Sequence, residues 1–74
     1  MFREYDLKRV LVSAISKEIK DNGWTQEYIA LELELSQSTI SRIVAKKIDL
    51  ISLSTLTEIV KRLGYKLEIN LVKL

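Results

Sequence analysis

Seventy-four residues with a net charge of +2, from twelve Lys and Arg against ten Asp and Glu, suit one small domain spanning 1–74. The chain has no Cys and no His, which removes disulfides, zinc fingers, thiol catalysis and imidazole chemistry together. Hydrophobic residues make up 47% and charged residues 30%, with no Pro, so this is a folded chain. Its stability must come from apolar packing, within one copy or shared with a second.

No apolar run approaches the ~18 residues of a membrane span. The opening "MFREYDLKR" mixes charges of both signs and carries no signal-peptide core, so the cytoplasm is the expected compartment and no membrane partner is expected. From Leu7 to Asn22, Leu7, Val10, Leu11, Ala14, Ile15 and Ile19 fall at helical spacing. Asp6 is the expected N-cap of this first helix, and Gly23 stands where a left-handed C′ residue belongs.

A second helix is expected from Thr25, an N-cap hydroxyl, with Glu27 in its first turn and Ile29, Ala30 and Leu33 inside. Ser36 caps a third helix, with Ile40, Ile43 and Val44 inward. Ser52 caps a fourth, where Leu53, Leu56, Ile59, Val60 and Leu63 run inward until Gly64 stops it. The closing "YKLEINLVKL" alternates, with Tyr65, Leu67, Ile69 and Leu71 on one face, and predicts a strand over 65–72. The expected fold is therefore mainly α, four helices and a C-terminal β-strand.

"LELEL" (31–35) also alternates, yet two capped helices leave it no room to be a strand. If Thr25 and Ser36 both open helices, the second helix ends near Leu33 and only Glu34 and Leu35 join it to the third. Two short helices on so tight a turn make a helix-turn-helix over 25–45, provided the buried positions fit. Counting Gln26 as position one, small or apolar residues are needed at the fourth, fifth, eighth, tenth, fifteenth and eighteenth places. Ile29, Ala30, Leu33, Leu35, Ile40 and Ile43 fill all of them. Ala30 also lets the two helices approach closely.

"TQEYIALELELSQSTISRIVAKK" resembles the helix-turn-helix of the Cro/phage-repressor (XRE) family. The wider stretch 24–71, including "ISLSTLTEIVKRLGYKLEINL", is similar to HigA-type antitoxins and related small phage or plasmid regulators. The resemblance implies a four-helix, lambda-repressor-like domain that binds double-stranded DNA. Two residues depart from the pattern. Glu34 stands where the family usually has a left-handed Gly, at a cost on the order of 1 kcal/mol. Lys46 stands where Gly or Asn is common, so the third helix is expected to run on further.

Charge is distributed to match. Between Ser36 and Ile48 there are three cations (Arg42, Lys46, Lys47) and no acid, whereas Glu27, Glu32 and Glu34 lie just upstream. At ~100° per residue, Ser38, Ser41, Arg42 and Ala45 point away from the core positions of the third helix, flanked by Gln37 and Thr39. A face of small, hydroxyl, amide and guanidinium groups without a carboxylate suits the major groove.

The resemblance implies that Gln37, Ser38 and Arg42 read bases, with Thr39 and Ser41 divided between base edges and phosphate. It places the first-turn Gln26 at a phosphate, counts the capping Thr25 and Ser36 among the DNA-binding residues, and sets Lys46 and Lys47 against the backbone as sequence-blind charge. Simpler roles stand beside these. Arg42 could pair with Glu34 or Asp49, Lys46 and Lys47 could be solubilising charge, and Trp24 reads as a core anchor. Tyr5, Tyr28 and Tyr65 read as structural.

No nucleophile–base pair is present, so no enzyme, metal or cofactor is expected. The terminal strand needs a partner for its edges. The favoured one is the same strand of a second protomer, making a homodimer through Tyr65, Leu67, Ile69 and Leu71 that sets two third helices ~34 Å apart. Its alternatives are "MFREY" of the same chain or a strand from another protein. The expected function is a repressor on an inverted-repeat operator, autoregulating its operon. The rival is an antitoxin whose main work is binding a toxin, and a phage regulator of an accessory operon is related to both.

Overall fold

The computed structural model describes residues 3–68, which form α1 (Glu4–Asp21), α2 (Gln26–Glu32), α3 (Gln37–Val44), a 3-10 turn (Ile48–Leu50) and α4 (Leu53–Arg62). One apolar cluster holds them together. Its fully buried members are Val12 and Ile15 from α1, Ile40 and Ile43 from α3, and Leu56 and Ile59 from α4. Each such side chain contributes roughly 1.5–3 kcal/mol by leaving water. α1 packs on α4, α3 and the 3-10 turn, while α2 packs on α3.

Caps explain where the elements begin. Thr25, Ser36 and Ser52 have extended backbones, and their side-chain oxygens accept from the N–H groups of Tyr28, Thr39 and Thr55. Each satisfies one of the orphan donors that open a helix. The first helix differs from expectation. It starts a turn earlier, with Arg3 as N-cap and Asp6 inside the first turn, ion-paired to Arg3 at 3.4 Å. The apolar stripe begins only at Leu7, so periodicity could not see a polar first turn that the dipole favours through Glu4 and Asp6.

All four helices end the same way. The N–H of the second residue past the cap returns to a carbonyl five residues back, and the first returns three back. For α2 these bonds are Leu35 N–H to Ala30 O (2.9 Å) and Glu34 N–H to Leu31 O (3.2 Å). The first residue past the cap must be left-handed, and it is: Gly23 (φ 65°), Glu34 (56°), Lys46 (58°) and Gly64 (90°). Glu34 thus has the conformation expected of it, and "LELEL" is the end of a helix and its turn. Lys46 corrects the other expectation: α3 stops at Val44 and does not run on.

Several apolar residues lie elsewhere than predicted. Val10 is 64% exposed and Val12 is buried, because the α1 stripe centres on Ile15 and Ile19 and Val10 lies ~100° behind Leu11. Val44 is 38% exposed at the edge of α3. At the other end, no residue among those described is in a strand. Tyr65 to Glu68 leave α4 without strand pairing, with Tyr65 and Leu67 exposed. The remainder of the predicted strand, with Ile69 and Leu71, lies outside the described residues. Tyr65 donates a hydrogen bond to Glu18 on α1, so the segment leaving α4 is held against α1 at its start.

Candidate nucleic-acid interface

The α2–turn–α3 unit is fixed from below by five buried residues: Ile29, Ala30, Leu33, Ile40 and Ile43, each at most 5% exposed. Leu35 packs half-buried beneath the turn. Two hydrogen bonds from outside the unit add to this. Arg62 on α4 donates to Leu33 O at 2.8 Å, reaching a carbonyl at the C-terminal end of α2 where a cation is favoured. Ser16 on α1 donates to Ile43 O at 3.1 Å, near the end of α3. Neither residue was found in the sequence. Both contacts span more than 25 positions along the chain (27 and 29) and leave no local pattern to read.

This support sets which side of α3 faces outward. Gln37, Ser38, Ser41, Arg42 and Ala45 are exposed, Thr39 is half-buried, and the opposite side is closed over the core. Val44, expected in the core, instead lies at the margin of the outward face. The first turn is organised by Ser36, whose hydroxyl lies 3.0 Å from that of Ser38 and 2.8 Å from that of Thr39. Those two hydroxyls are engaged within the cap, whereas among the described residues the side chains of Gln37, Ser41 and Arg42 form no hydrogen bond within the chain. The outward face offers an amide, a hydroxyl and a guanidinium for an outside partner.

The expected flanking residues frame this face. Thr25 caps α2 and is exposed, and Gln26 is half-buried at the first position of α2. Lys46 and Lys47 follow α3 and are exposed, with Lys47 leading into the 3-10 turn. Among the described residues Arg42, Lys46 and Lys47 make no ion pair, so neither Glu34 nor Asp49 neutralises Arg42. Lys17 differs: its ammonium lies 2.6 Å from Asp21, and that hydrogen bond holds its pKa above the ordinary lysine value. Trp24 is half-buried against the core, 6.4 Å from the ring of Tyr28, as an anchor would be.

Two capped helices joined by the four residues Leu33 to Ser36, the second offering a carboxylate-free polar face, have the form of a DNA-reading unit. The profile of the helix-turn-helix domain matches residues 3–72 of the chain. The chain belongs to the helix-turn-helix domain family. No match was found among curated proteins or among solved structures. Domains of this kind bind DNA, and they are typically not enzymes. Among the described residues of this helix-turn-helix domain no helix is long and apolar enough to cross a membrane.

Proposed function

We propose that this helix-turn-helix domain is a sequence-specific repressor that docks α3 in the major groove of double-stranded DNA. The observation that carries the reading is the outward face of α3: Gln37, Ser41 and Arg42 are exposed, have no partner within the described chain, and have no carboxylate among them. Gln suits adenine, Arg suits guanine, and the small Ser41 and Ala45 allow close approach. Ser38 and Thr39 act partly through the cap, holding the first turn in place. Thr25, Gln26 and Ser36 meet phosphates at the two helix starts, and Lys46 and Lys47 supply backbone charge.

One α3 reads only a few base pairs, so a homodimer on an inverted repeat extends the site, with half-sites one helical turn apart. The C-terminal segment beginning at Tyr65 is the proposed dimer contact, through Tyr65, Leu67, Ile69 and Leu71. The protein works in the cytoplasm and autoregulates its own operon in this reading. The test is selection of bound duplexes from a random pool. Recovery of a palindrome with half-sites ~34 Å apart supports the reading, and recovery of unrelated sequences contradicts it.

A second reading, an antitoxin that binds a toxin, is favoured by one surface. Leu31 is 79% exposed on α2 among Glu27, Glu32 and Glu34, a combination that suits a basic protein partner. Co-purification of a small basic protein from the native host, lost in Leu31→Lys, would support it.

A further inference from the structure

The outward face of α3 does not end at Ala45. It borders a trough of about 640 Å³ walled by Ser13, Lys17 and Lys20 of α1 on one side and by Gln26 and Lys46 on the other. Ile19, Trp24 and Val44 also line it. Three lysines line it against one acidic residue, Asp21, whose carboxylate is already held by Lys17. Lys20 and Lys46 are therefore the cations left for an outside anion, since neither makes an ion pair among the described residues.

We infer that this trough carries the sugar–phosphate backbone flanking the site read by α3, with Lys20 as a DNA contact on α1. The inference rests on the reading of α3 as the groove helix. Continuity is its main support, because Gln26 and Lys46 belong both to the trough and to the proposed phosphate contacts. A duplex seated on α3 brings its flanking strand past these two residues, and Lys20 is the next free cation along the wall. The exposure of Val44 also finds a reason, as part of an apolar bed for deoxyribose between the lysines. A small anionic effector is disfavoured by the same site. Ligand pockets fix orientation with a few enclosed polar groups, and no polar side chain among the described residues is buried.

Lys20 also lies in the last turn of α1, where a cation stabilises the helix end. The test must therefore read something that helix stability does not move. Binding of Lys20→Gln to the selected duplex and to a scrambled one, as a function of salt, does so. The expected result is an equal loss on both duplexes and a salt slope shallower by about one unit. Ethylation interference should lose one phosphate outside the bases covered by α3. Asp21→Asn, which frees Lys17, should bind both duplexes more tightly. If Lys20→Gln and Asp21→Asn keep the wild-type slope and phosphate footprint while Arg42→Ala loses sequence preference, the trough inference is overturned and the reading of α3 stands. If Arg42→Ala also binds as wild type, both fall.

Discussion

At the residue scale, the turn depends on two side chains held in a conformation that favours glycine. Glu34 and Lys46 both have left-handed backbones and sit at the two helix ends that bracket the α3 region. Each costs on the order of 1 kcal/mol. Each also closes two backbone hydrogen bonds, worth about 0.5–1.5 kcal/mol apiece, so the turns hold despite the strain. Glu34→Gly should remove the strain and keep the bonds, raising stability by about 1 kcal/mol and Tm by about 4 °C. A thermal melt checks this, and an unchanged or lower Tm would contradict the strain at Glu34. Gly64→Ala or Gly23→Ala should do the opposite, for the same backbone reason and in the absence of any steric neighbour.

At the element scale, α3 is short, and its aim is set by α1, α2 and α4 together. Arg62 tests that dependence. Its bond to Leu33 O reaches across from α4, whereas its ion pair with Glu58 is exposed and lies within α4 itself. Arg62→Ala should cost about 1.5 kcal/mol, the worth of a hydrogen bond to a charged group, while Glu58→Ala should change stability by less than about 0.5 kcal/mol. Denaturant titration of the two variants decides it. Equal losses would mean that the ion pair, and not the tie to the turn, is what Arg62 contributes.

The same scale shows what could be read from the chain and what could not. Thr25, Ser36 and Ser52 were legible because a cap needs a particular side chain at a fixed place before an apolar run. The turn at Glu34 and Leu35 was legible because two caps left only those residues to join the helices, and its left-handed residue was legible through the family resemblance, where Gly usually stands at Glu34. Val44 and Val10 were not. Periodicity gives the direction of a side chain about its helix, but the width of the buried stripe depends on which neighbour covers it. Asp6 misled because it is a good cap residue one turn inside the true start.

At the scale of the whole molecule, the start of the C-terminal segment is joined to α1 by the bond from the Tyr65 hydroxyl to Glu18. That bond raises the Tyr65 pKa above its ordinary value of about 10, since the phenolate could not donate it. A raised folded pKa means the contribution is full below about pH 10 and is lost as pH rises through the folded value. Lys17, raised by its bond to Asp21, loses its contribution over the same alkaline range. The Tm advantage of wild type over Tyr65→Phe should therefore hold at neutral pH and shrink above about pH 10. An advantage that stays constant through the alkaline limb would count against the Tyr65–Glu18 bond.

The charge pattern of the whole chain was legible as a direction, with acids on α2 and cations after α3. The trough beside α3 was not, because Lys17, Lys20, Gln26 and Lys46 meet only through the packing of α1 on α3. What the molecule does turns on the outward face of α3, and Arg42 is its only charge. The most direct measurement is the ratio of affinities of wild type and Arg42→Ala for the selected duplex and its scrambled counterpart at one salt concentration. A guanine contact predicts that the variant loses about tenfold or more of that preference. Equal preference in the two proteins would show that α3 does not read the DNA through this face.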